Sequence, residues 1–77
     1  MSTFEQRTIE SFFQEYGVES ADVKARLLPI LTPVIYAYNQ NVIDFEKETD
    51  EYRKNQVQRG IEEMAAKIKY VITSEGN

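Results

Sequence analysis

The apolar residues of this chain fall into three helical ladders, one short and two long. Ile9, Phe12, Phe13 and Tyr16 follow the i, i+3, i+4, i+7 spacing of a single helical face. Ile35, Tyr38, Val42 and Phe45 are spaced by three, four and three residues, and Thr49 and Tyr52 continue that register weakly. Val57, Ile61, Met64, Ile68 and Val71 repeat at four, three, four and three. Each of the two long ladders is a heptad-like seam. The step from Tyr52 to Val57 is five residues, so the seam slips by one residue between them.

The polar punctuation assigns helices to these ladders. Ser2 and Thr3 are good N-cap types, and each has its capping-box partner three residues on, Glu5 and Gln6. Gly17 stands where a C′ glycine ends a helix, with Val18 placed to touch Phe13. The first helix is therefore expected over about 3–16. Ser20 caps a second, with Asp22 in its first turn and Arg26 four residues further on. Val23, Leu27, Leu28 and Leu31 supply its buried face, and Pro29 is expected to end or kink it, giving a short helix over about 20–30. Thr32-Pro33 then restarts the chain as N-cap and N1 of a long helix over about 33–73. Lys67 and Lys69 suit its C-terminal end, and 74–77 reads as a polar, frayed tail. A rival reading makes 34–46 a β-hairpin looped at Asn39-Gln40-Asn41, but that loop lacks the glycine such hairpins favour.

The expected fold is all-α. A helical cap over 1–31 packs on a main helical element over 32–73, within a single domain. That main element has a charged waist. Asp44, Glu46, Glu48, Asp50 and Glu51, with Lys47 among them, make an acidic half, and Arg53, Lys54 and Arg59 a basic half directly after it. Antiparallel pairing about Tyr52–Arg53 sets Glu46 near Arg59 and Glu51 near Lys54, and lays the 35–45 ladder on the 57–71 ladder. Parallel pairing opposes acid to acid. Two chains crossing as a homodimer, or one chain folding back near 47–55, satisfy this pattern equally, since each is the swapped form of the other. The waist has no glycine or proline, which favours a continuous helix of ~40 residues, roughly 60 Å long, paired in a dimer.

Composition supports a partner. A chain of 77 residues buries a core worth only about 3–5 kcal/mol, and small domains of this kind usually carry a staple. With no cysteine and no histidine, disulfides and the common zinc ligand sets are absent, which leaves oligomerisation. The net charge of −4 argues against a general affinity for nucleic acid or anionic membranes. No apolar run approaches the ~20 residues of a membrane span, and the first residues do not read as a secretory signal. A soluble, cytoplasmic protein is the expectation.

Catalytic chemistry is scarce. The usual general bases and thiol nucleophiles are missing, no serine stands in a nucleophile elbow, and the three glycines are isolated rather than gathered in a phosphate loop. Asp44, Glu48 and Glu51, continued by Asn55 and Glu62, form a carboxylate row that reads as a solvated helix face more readily than as a cation site. Tyr36 and Tyr38 point about 200° apart, and burial on both sides of 34–38 is the favoured account over an exposed binding patch. No cofactor is expected. The function that follows is a non-enzymatic, homodimeric interaction or regulatory protein whose interface uses the two long ladders. The alternative is an acidic decoy for a nucleic-acid-binding protein, carried by Glu5, Glu10, Glu15, Glu19, Asp22 and the acids of 44–51. A metal-assisted enzyme built on the carboxylate row stands third.

Overall fold

A computed structural model describes residues 3–75, which form three α-helices: α1 (Phe4–Glu15), α2 (Ala21–Lys47) and α3 (Glu51–Glu75). Among the described residues there is no strand, so the segment 34–46 is helical. The absence of a loop glycine and the unbroken helical spacing decide against the hairpin.

The ends of α1 follow the sequence signals closely. Thr3 Oγ1 accepts from the Gln6 amide at 3.1 Å while Gln6 Oε1 accepts from the Thr3 amide at 3.0 Å, completing the capping box. The alternative cap, Ser2, lies outside the described residues. Gly17 has φ +72°, the Val18 amide donates to the Phe13 carbonyl at 2.8 Å, and the Gly17 amide to that of Gln14 at 3.3 Å. This is a Schellman closure, and the left-handed residue it needs is why glycine stands there. At the start of α2, Ser20 Oγ accepts from the Val23 amide. Arg26 does not pair with Asp22; its guanidinium donates to the Glu75 carbonyl and ties the start of α2 to the end of α3.

Two boundaries differ from expectation, and the first is at the prolines. The second helix does not end at about 30, nor does a new one start at 33: α2 runs through both Pro29 and Pro33. The proline φ is already helical, so the loss is one donor each, to the carbonyls of Ala25 and Pro29. Ala25, Pro29 and Pro33 are all exposed, so those carbonyls face water. Leu27, Leu31 and Ile35 lie fully buried on the other side. Their burial, worth about 1.5–3 kcal/mol apiece, offsets a proline penalty of roughly 3 kcal/mol each, which hydration of the freed carbonyls reduces. Thr32 is not a cap; its hydroxyl donates to the Leu28 carbonyl one turn back at 2.6 Å.

The second difference is at the waist. The helix expected over 33–73 is interrupted at residues 48–50, and α3 turns back along α2. No glycine or proline makes the turn. The Glu48 amide closes α2 on the Asp44 carbonyl, and Glu48 Oε1 accepts from the amides of Thr49 and Asp50 at 3.2 and 3.1 Å. Asp50 then caps α3, its Oδ1 accepting from the Arg53 amide at 3.1 Å. Glu51 adds an acid to the first turn, where the helix dipole favours it. At the far end α3 continues through Ser74 and Glu75, so that part of the expected tail is helical; 76–77 lie outside the described residues.

The register of the fold-back is fixed by three contacts. Lys54 Nζ sits 4.9 Å from the Phe45 ring centroid, Gly60 abuts the Asn41 amide, and Arg26 reaches Glu75. All three pairs are centred on Asp50 to within a residue. The two long ladders thus meet antiparallel inside one chain.

α1 crosses this hairpin steeply. Glu10 pairs with Lys24 at 3.4 Å while Thr8 bonds Asn39 at 3.2 Å. Residues two apart on α1 therefore reach positions on α2 separated by roughly 22 Å of helix. Ile9 and Phe13 from α1 complete a core with Leu27, Leu31, Ile35, Ile68 and Ile72. Phe12 stacks edge-on against Tyr38, ring centroids 5.5 Å apart, at the margin of that core. Full burial follows the footprint of α1: beyond Asn39 there are only two layers, and Val42, Phe45, Val57, Ile61 and Met64 are half-buried.

Candidate functional site

The residues singled out from the sequence divide into two groups. Ile35 and Ile68 are fully buried, and Tyr38 and Val71 pack against the same core. Val42, Phe45, Val57, Ile61 and Met64 face the two-layer half of the hairpin. Their antiparallel meeting is intramolecular, so it calls for no second chain. Tyr52 does not join them: it stands in the first turn of α3 and is exposed.

The expected charge pairs are not formed. Glu51 and Lys54 share the first turn of α3, and Glu46 and Arg59 do not come within ion-pair distance; among the described residues the ion pair is Lys24–Glu10. The fold-back is centred near Asp50 rather than Tyr52–Arg53, which displaces each expected partner by about five residues. Lys54 instead lies over Phe45. The carboxylate row is divided by the turn, with Asp44 in α2, Glu48 at its C-cap and Glu51 in α3. Among the described residues no group of three or more His, Cys, Asp or Glu is placed to hold a metal ion. No described helix is long and apolar enough to cross a membrane.

What the sequence reading missed is the outer face of α2. Tyr36 was expected to be buried; it is 55% exposed, and Leu28 is 41% exposed. The steep crossing of α1 explains this, because α1 covers the Leu27–Leu31–Ile35 line and leaves the neighbouring line open. Leu28, Thr32 and Tyr36 recur at a spacing of four, and with Ile9, Gln6 and Glu5 of α1 they line a recess of about 320 Å³. Leu28, Ile9 and Gln6 also border the adjoining recess of about 700 Å³, which runs past Ala25 to the Glu10–Lys24 pair. Together they form one continuous groove between α1 and α2. The signal in the sequence was the excess of apolar residues over 27–38, more than one helical face can bury.

The groove has an unusual polar lining. From residue 27 to 43, α2 carries no charged side chain. The two prolines leave the Ala25 and Pro29 carbonyls without helical donors on the exposed side. The Thr32 proton is spent on Leu28, so its oxygen presents lone pairs only. Glu5 adds a carboxylate from α1. The adjoining recess carries both signs of charge, with Arg7 and Lys24 beside Glu10.

The seat of α1 depends on one buried amide. Asn39 is 3% exposed, and among the described residues its side chain's partner is the Thr8 hydroxyl. That hydroxyl also lies 2.9 Å from the Phe4 carbonyl, which can only accept. The hydroxyl proton lies between the Phe4 carbonyl and the Asn39 Oδ1, the latter 3.2 Å away. The atom left without a partner among the described residues is the Asn39 Nδ2.

Comparison with known protein families, with curated protein sequences and with solved structures finds no match to any of them.

Proposed function

We propose that this protein is a non-enzymatic interaction module that recognises another protein through the α1–α2 groove. The observation that carries the reading is the exposure of Leu28 and Tyr36 beside a core that is already complete without them. Large apolar side chains gathered along a concave surface are what helix-in-groove recognition uses, and tyrosine is enriched where one end of a side chain is buried and the other wet. The scarcity of catalytic side chains supports binding over chemistry.

The test is site-specific photo-crosslinking in the cells that express the protein. A benzophenone side chain at Tyr36 should give discrete protein adducts, and the same group at Glu62, on the exposed face of α3, should not. Equal labelling from both positions, or none from Tyr36, contradicts the reading.

Self-association is a second reading, favoured by the two-layer half of the hairpin. Val42, Phe45, Val57, Ile61 and Met64 are half-buried where α1 does not reach, and a second hairpin laid on them would complete a four-helix bundle. Sedimentation at micromolar concentration should then show a dimer that Val57→Glu dissociates; a monomer at every concentration removes it.

A further inference from the structure

We infer that an angular offset between the two long apolar ladders holds this chain in its hairpin and keeps it from exchanging α3 with a second copy. Exchange leaves the α2–α3 interface unchanged, because the same faces meet whether α3 comes from one chain or from two. The turn is a weak obstacle to it. Residues 48–50 include neither glycine nor proline, and among the described residues no position other than a glycine has positive φ. Glu48 has φ −77° and ψ 131°, so rotation of that one ψ towards about −42° brings it into helical geometry. The Thr49 and Asp50 amides, now held by the Glu48 carboxylate, would find the Phe45 and Glu46 carbonyls in a continuous helix.

What opposes exchange is the direction in which the ladders would then point. A helix turns about 100° per residue. Carried straight through 48–50, the face of Leu31, Ile35, Tyr38, Val42 and Phe45 would stand about 80° from that of Val57, Ile61, Met64, Ile68 and Val71. In a swapped dimer both faces of each long helix must meet the same antiparallel partner. On a straight helix they do not, so one ladder turns outward or the helix unwinds to follow its seam. Ile35 and Ile68 are both fully buried and belong to opposite ladders, so a core residue is exposed whichever ladder gives way. In the hairpin α2 and α3 are separate helices, each free to rotate about its own axis, and the turn absorbs the offset. The device therefore lies in the spacing of the ladders along the chain, and it keeps α1, α2 and the groove between them within one chain.

The experiment changes the offset without shortening the turn, by inserting alanines between Thr49 and Asp50. Three alanines bring the two ladders to within about 20° of a common face, and one alanine sets them about 180° apart. Both variants and the unmodified chain are sedimented at concentrations rising to about a millimolar, where closure within one chain loses its advantage of effective concentration. Nitroxide labels at Ile30 and Tyr70, diluted into unlabelled chain, distinguish exchange from a dimer of intact hairpins. The three-alanine chain should be a helical dimer whose labels stand about 60 Å apart or more, while the one-alanine and unmodified chains keep them under about 25 Å. The variant Glu48→Ala/Asp50→Ala, which loosens the turn and leaves the offset as it is, should unfold at a lower temperature but keep the short distance. A short distance in the three-alanine chain, its failure to fold, or equal exchange by the one-alanine chain overturns the inference. So does a long distance in Glu48→Ala/Asp50→Ala, which would make the turn's hydrogen bonds the restraint instead.

Discussion

Replacing Asn39 with leucine should stabilise the protein. Asn39 is 3% exposed, holds one hydrogen bond, to Thr8, and leaves one amide atom without a partner. A buried unsatisfied polar atom costs about 1–3 kcal/mol, and the bond to Thr8 returns about 0.5–1.5 kcal/mol. Leucine has the same branching at Cγ and no polar atoms. Thr8 keeps its bond to the Phe4 carbonyl, so no new orphan is created. Against the gain stands the larger volume of the two methyl groups, since overpacking a core typically costs 1–3 kcal/mol where neighbours cannot yield. Asn39 lies at the edge of the α1 footprint, next to the half-buried Val42 and Ile43, where there is room to yield. The net expectation is a gain of about 1 kcal/mol, which in a domain of this size raises Tm by roughly 4–8 °C. Urea and thermal unfolding followed by circular dichroism at 222 nm read it directly. A loss of 1 kcal/mol or more would refute the reasoning, because it would mean that overpacking and the lost hydrogen bond outweigh removal of the unpartnered amide atom.

Other substitutions test other joints of the fold. A methyl group at Gly60 would stand 3.0 Å from the Asn41 Nδ2, so Gly60→Ala sets a helix-propensity gain of about 1 kcal/mol against displacement of a side-chain end. It should be near neutral alone and stabilising by about 1 kcal/mol in an Asn41→Ala background, as a double-mutant cycle in urea would show. Glu51→Pro places proline at the first position of α3, after the Asp50 cap, and should change stability by less than about 1 kcal/mol. In an uninterrupted helix the same change would cost roughly 3 kcal/mol, visible as a large drop in Tm.

The punctuation at both ends of α1 translated faithfully, and that at the prolines and the waist did not. Thr3-x-x-Gln6 and Gly17-Val18 each specify their geometry within a few residues, so both ends of α1 were legible. The two ladders correctly demanded an antiparallel partner. Their five-residue slip, between Tyr52 and Val57, falls inside α3 rather than at the turn over 48–50, and the lack of glycine and proline argued against a turn. The Glu48 carboxylate supplies what those residues usually supply, holding two amides that a turn would otherwise leave open. Asp50 followed by Glu51 is itself an N-cap signal. The prolines misled for the opposite reason: a strong local breaker was overruled by the burial of Leu27, Leu31 and Ile35. The excess of apolar residues over 27–38 hinted at an open face but could not place the groove, because the exposure of Tyr36 depends on the angle at which α1 crosses α2.

The most direct measurement is the distance between nitroxide labels on the exposed positions Ile30 and Tyr70, introduced as cysteines into a chain that has none. Both lie equally far from the Asp50 turn, one on α2 and one on α3. With labelled chains diluted into unlabelled ones, double electron–electron resonance should give a distance under about 25 Å, as expected for neighbouring helices whose axes are 8–10 Å apart. A distance near 60 Å, the length of forty helical residues, would mean that the chain does not fold back and would contradict both the hairpin and the groove built on it.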